Sequence, residues 1–70
     1  DDAALVCRAI LARDNLDERA HRLLMEVLAD AGRPADALRH HNVLITLFRE
    51  ELGIAPSAET TALARRITQS

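Results

Sequence analysis

Three histidines, one cysteine and nine arginines are the side chains of this chain with chemistry to offer. His40 and His41 are adjacent, so on a helix they point about 100° apart. Neither they nor His21 and His41 present an obvious pair of imidazoles to one metal ion, and no Cys/His spacing matches a zinc site. His21 and His41 fall among apolar residues and read as replacements for core or rim aromatics. Cys7 has no histidine or asparagine placed in sequence to orient it as a nucleophile and no second cysteine to pair with, so it reads as a small buried hydrophobe. No catalytic constellation, metal set or cofactor box emerges, and the expectation is a protein without enzymatic activity.

The arginines, Arg8, Arg13, Arg19, Arg22, Arg33, Arg39, Arg49, Arg65 and Arg66, could line a DNA backbone. Acids such as Glu18, Glu26, Asp36 and Glu50 lie within a turn of them, and the formal net charge is -2, the wrong sign for affinity built on phosphate neutralisation. They read instead as solvated helix faces with ion pairs. Gly32-Arg33-Pro34 resembles the turn of a helix-turn-helix, yet core-like residues follow it and leave no polar reading face. Phe48 is the only aromatic, which denies the chain a base-stacking platform.

These side chains need a scaffold. A chain of 70 residues makes one small domain, burying only about 60% of the surface its unfolded form exposes. A hydrophobic share of 49% with 29% charged residues suits a soluble helical domain. There is no apolar run of membrane-spanning length and no visible leader, so the expected setting is cytoplasmic with no membrane partner. The opening Asp1-Asp2, in place of Met, and the immediate helical periodicity lead us to expect a piece of a longer protein.

Periodicity predicts four helices. Ala3, Val6, Cys7, Ile10 and Leu11 form an amphipathic stripe from about Asp2 to Arg13. Asp14 and Asn15 supply cap chemistry, and Asn15 with Glu18 matches a capping-box spacing. The second helix carries Ala20, Leu23, Leu24, Val27, Leu28 and Ala31 inward and stops at Gly32. Pro34 suits the first position of a third helix, whose stripe is Ala37, Leu38, His41, Leu44, Ile45, Phe48 and Leu52. Gly53 closes it, Pro56 prevents its continuation, and Ser57 caps a fourth helix with Glu59 in the first turn. Leu63 and Ile67 give that helix a narrow seam, helped by Thr60 and Ala64.

Ala3, Cys7 and Ile10 recur as Ala37, His41 and Leu44, each 34 positions on, the period of tetratricopeptide arrays. Leu24, Leu28, Gly32 and Ala37 fall where that motif places large, large, turn and small residues, while His21 stands for its tryptophan. The third helix outruns the repeat because Arg49 replaces the expected proline. The fold class expected is all-α: antiparallel helix pairs in a tetratricopeptide-like right-handed superhelix fragment of about four helices, as a single module over residues 1–70.

The blocks Asp14-Asn15-Leu16, Ala20-His21-Arg22-Leu23-Leu24-Met25, Ala31-Gly32-Arg33, Ala37-Leu38-Arg39, Glu50-Glu51-Leu52-Gly53 and Pro56-Ser57 resemble, in order and spacing, the bacterial transcriptional activator domain of SARP-type regulators of secondary metabolism. The Leu52-Gly53 to Pro56-Ser57 elbow is the most diagnostic. The family often has Pro at Asn15, Tyr at His41, and charged residues where Val43, Ile45 and Thr46 stand. The resemblance implies a helical module that follows a winged-helix DNA-binding domain, itself outside this chain.

Val43-Leu44-Ile45-Thr46-Leu47-Phe48 covers the third helix with apolar residues almost all round, more than one buried face accounts for. Either the first and fourth helices cover Val43 and Leu47, or these two residues form a protein interface. The first functional expectation is a non-catalytic protein-interaction or oligomerisation module of a bacterial transcriptional regulator. Its partners would be copies of itself or other domains of the parent regulator, and DNA would be contacted only through the absent domain. The alternative is a tetratricopeptide-type scaffold fragment of a signalling ATPase or nucleotide cyclase.

Overall fold

Two glycines set the turning points of the chain, and they do so by different hydrogen-bond patterns. In the computed structural model, which describes residues 2–69, α1 spans Asp2–Arg13, α2 Glu18–Asp30, α3 Pro34–Leu52 and α4 Ala58–Gln69. Asp1 of the opening pair lies outside the described residues. After α2 the Arg33 N–H reaches the Leu28 carbonyl and the Gly32 N–H that of Ala29, with Gly32 at φ 77°. This is the paired closure of a Schellman motif. After α3 a single bond from the Gly53 N–H to the Arg49 carbonyl, with Gly53 at φ 68°, closes the simpler left-handed form. A side chain at either glycine would meet open space, so the positive φ alone selects glycine there.

The starts follow local chemistry with one correction. Asp17, not Asn15, caps α2: its carboxylate accepts the Ala20 N–H at 3.1 Å. Glu18 does not reach back to close a capping box with Asn15, because its carboxylate is committed elsewhere. Pro34 begins α3, and the Ser57 hydroxyl accepts the Thr60 N–H at 3.4 Å at the head of α4.

Successive helices pack as pairs, and α2 is the hub that touches α1, α3 and α4. Helix α1 touches α2 alone among the helices, and α4 lies across α2 and α3. The core joins Cys7, Leu24, Met25, Leu28, Ala37, Leu63, Ala64 and Ile67, with Ala4, Leu11, Ala29 and Leu38 packed at its edge; Leu44 and Phe48 are also buried. No strand occurs among the described residues. The body measures 31 × 27 × 16 Å, thin enough that most helices keep one face in solvent.

That thinness explains where the apolar stripes overreached. Val6 and Ile10 are exposed, as are Leu23 and Leu52, and Ala3 and Ala31 are exposed as well. The repeat makes the point sharply: Leu44 is 0% accessible, whereas Ile10, its counterpart one period earlier, is 38% accessible. The difference is that α3 is covered from two sides, by α2 and α4, and α1 from one. Met25 is fully buried although the stripe assigned to α2 omitted it.

Candidate functional site: the outer face of the third helix and its cleft

Helix α3 has 19 residues and is the longest element, about 28 Å end to end. Its inner side buries Ala37, Leu44 and Phe48. On its outer side Val43 is 55% accessible and Leu47 is half-buried; together they floor a shallow groove rimmed by Arg39, Asn42, Thr46 and Glu50. Position along the helix orders this groove by charge. Arg39 stands toward its amino end, Val43 and Leu47 in the middle, and Glu50 toward its carboxyl end.

Val43 also borders a second concavity, a cleft of about 240 Å³ between α1 and α3 with Leu28 of α2 lining it. Arg8 stands on one wall; Arg33, Asp36, Arg39 and His40 stand on the other. Asp36 is shared by two guanidiniums, that of Arg33 at 2.7 Å and that of Arg39 at 2.9 Å. Arg8 has no carboxylate partner among the described residues. The reading of the arginines as ion-paired faces therefore holds for Arg22, Arg33 and Arg39, and not for Arg8, Arg13, Arg19, Arg49 or Arg65, which have no acid within ion-pair distance among the described residues.

Behind the cleft lies a contact that chain order concealed. His21 is 3% accessible; its Nε2 is 2.7 Å from the Asn15 carbonyl oxygen and its Nδ1 is 2.9 Å from His40 Nε2. A carbonyl only accepts, so His21 Nε2 carries a hydrogen. In the neutral ring Nδ1 then accepts, and His40 donates from Nε2. Phe48 and His21 meet in a T-shaped contact, with ring centroids 6.3 Å apart at 84°. Judging the histidines by neighbours in sequence paired His40 with His41, whereas the imidazole pair that forms is His21 with His40, across two helices. Burial, then the proximity of His21, Arg8 and His41, holds the His40 pKa down at about 4. His41, half-buried, is also held below its ordinary value by burial, and its Nε2 is a buried nitrogen without a hydrogen-bond partner.

A second polar knot fixes α4. Glu18 accepts from the Ser57 backbone N–H at 2.7 Å, from the Ser57 hydroxyl at 2.8 Å and from the Thr60 hydroxyl. Thr60, 0% accessible, in turn accepts from Arg22 at 3.2 Å. Arg22 lies 3.7 Å from both Glu18 and Glu59. Burial alone would raise the Glu18 pKa, but the hydrogen bonds from Thr60 and Ser57 and the Arg22 charge outweigh it and leave it lowered.

Among the described residues no three His, Cys, Asp or Glu side chains converge as a metal site would require, and no helix is long and apolar enough to cross a membrane. Cys7 is buried and free. What remains is a stack of helix pairs whose outer surface carries an apolar ridge on α3 beside an arginine-walled cleft and a second exposed apolar stretch, Leu5, Val6 and Ile10, on α1, the form of a small helical-repeat module.

Comparison with known families sharpens that class. The chain belongs to the bacterial transcriptional activator domain family, whose model matches residues 1–68. It is a family of transcription-regulator domains, not of catalysts. No curated protein and no solved structure matches the chain.

Proposed function

We propose that this chain is a non-catalytic protein-interaction module of a bacterial, cytoplasmic transcription regulator, a single unit in a longer protein whose DNA contacts are made by a separate domain. Family membership supports the regulatory setting. The exposure of Val43 beside Leu47, on the longest helix, supports the interaction role, because soluble domains seldom leave an apolar ridge uncovered without using it.

The charge order of the ridge favours self-association. In two copies packed antiparallel about a two-fold axis, Val43 and Leu47 meet their counterparts, and Arg39 comes opposite Glu50 of the partner subunit at both ends. One helix pair makes a small interface, so the affinity should be on the order of micromolar or weaker. Sedimentation of the wild-type chain and of Val43→Glu/Leu47→Glu tests this. Concentration-dependent association that the double variant loses while keeping its helicity supports the role. A chain that stays monomeric up to about millimolar concentration, in the range of weak contacts, removes self-association. In the antiparallel arrangement Arg39→Glu weakens association and Arg39→Glu/Glu50→Arg restores it.

A further inference from the structure

We infer that the cleft between α1 and α3 is a binding site for a phosphoryl dianion, gripped by Arg8 on one wall and by Arg33 and Arg39 on the other. The cleft exists because α1 and α3 both pack on α2 and not on each other. Its charge is unbalanced: three guanidiniums line it with one carboxylate, that of Asp36, which Arg33 and Arg39 already share, while Arg8 has no acid partner among the described residues. Arg8 lines one wall and Arg33 and Arg39 the other, and guanidiniums on opposite walls suit a tetrahedral dianion, with oxygens on several sides, better than a planar carboxylate that offers one edge and one charge.

His40 stands in the same field. It lines the cleft, and part of what keeps it neutral is the charge of Arg8. A field that repels a proton from His40 attracts an anion placed beside it. The groups facing His40 are Arg8 from α1, His21 from α2 and His41 from α3 itself; Arg33, Asp36 and Arg39 share the cleft. With Nε2 engaged by His21, Nδ1 is the nitrogen at which His40 gains a proton when an anion offsets Arg8. Occupancy should therefore draw in a proton. A cleft of about 240 Å³ in a chain of net charge -2 suits a compact phosphomonoester, free or carried on a protein side chain, better than a long polyanion.

The test uses the whole 70-residue chain, isotope-labelled, with arginine and histidine side chains followed by NMR as inorganic phosphate is added against chloride at matched ionic strength. Saturable changes at Arg8 and Arg39 are expected, with the His40 titration moving to higher pH. Arg8→Gln, an exposed position outside the α3 ridge, should weaken binding roughly fivefold, and Asp36→Asn, which frees two guanidiniums, should tighten it by a similar factor. A phosphothreonine peptide that outcompetes phosphate, while its unphosphorylated twin does not bind, assigns the group to a protein. Phosphate binding as well as the peptide assigns it to a small molecule. A response that chloride reproduces, or one that Arg8→Gln leaves unchanged, overturns the site, as does a short DNA duplex binding more tightly than either phosphate source through Arg8.

Discussion

His21 Nδ1 and His40 Nε2 stand 2.9 Å apart, with ring centroids separated by 5.0 Å and the rings inclined by 30°, so the first turn of α2 is fastened to the second turn of α3 through two imidazoles. One hydrogen placed between two nitrogens holds the contact. A proton on each facing nitrogen would break it.

The acid limb of stability should carry the cost of charging the half-buried His40 ring of this contact. His40 titrates at about 4 in the folded chain against an ordinary 6.5, so between those values the unfolded chain binds more protons than the folded one. By linkage, stability is fully present above 6.5, falls as pH drops from 6.5 to about 4, and loses nothing further from this group below that. The lowered pKa of His41 acts in the same direction. Urea unfolding at a series of pH values should show the decline, and His40→Gln should flatten it.

Thr60→Val keeps the shape of a fully buried residue while deleting a donor to Glu18 and the acceptor of Arg22. A loss of about 1–3 kcal/mol is expected, the cost of leaving buried polar groups short of a partner. Amide exchange should quicken most at the start of α4, where Ser57 and Thr60 lie. A loss under about 0.5 kcal/mol, the level of an ordinary surface change, would mean the knot is ornamental to folding.

Gly53→Ala meets no steric obstacle, so its whole cost is that of holding an L-residue at φ 68°. That is roughly 1–2 kcal/mol, or about 4–8 °C in melting temperature per kcal/mol for a domain this small. Gly53→Asn should cost less, since asparagine tolerates the left-handed region. Calorimetry on the two variants separates a conformational cost from a packing one.

Duplex DNA should bind this chain only weakly, even at low salt. Asp36 already neutralises part of the charge on Arg33 and Arg39, and Glu18 and Glu59 do the same for Arg22. Fluorescence anisotropy with labelled duplexes of two unrelated sequences would settle it, and tight binding that prefers one sequence would place DNA recognition within these helices.

Helix number, the elbows and most of the buried positions were legible in the sequence because glycine, proline and apolar spacing act locally. Gly32, Pro34, Gly53 and Ser57 each do what their backbone chemistry prescribes. The capping of α2 was misplaced by two residues because Asn15 and Asp17 are both competent, and only the path of the turn decides between them. Glu18 was assigned to its own helix, and nothing in a linear reading shows that Ser57 and Thr60 come to it. The same limit hid the imidazole pair, since His21 and His40 meet only after α2 and α3 pack. Periodicity marked Val6 and Ile10 as inward, and it could not show that α1 has a neighbour on one side alone. The exposure of Val43 did have a signal: the apolar run on α3 exceeds what one buried face can hold.

Among the described residues, the three whose side-chain bonds tie other elements to α2 all lie in its first five positions, little more than one turn. Glu18 and Arg22 take hold of the head of α4, and His21 holds both α3 and the carbonyl of Asn15 just after α1. A displacement of that turn cannot stay private to one helix. A shift of the α1–α2 elbow would therefore move the second turn of α3 and the head of α4 together.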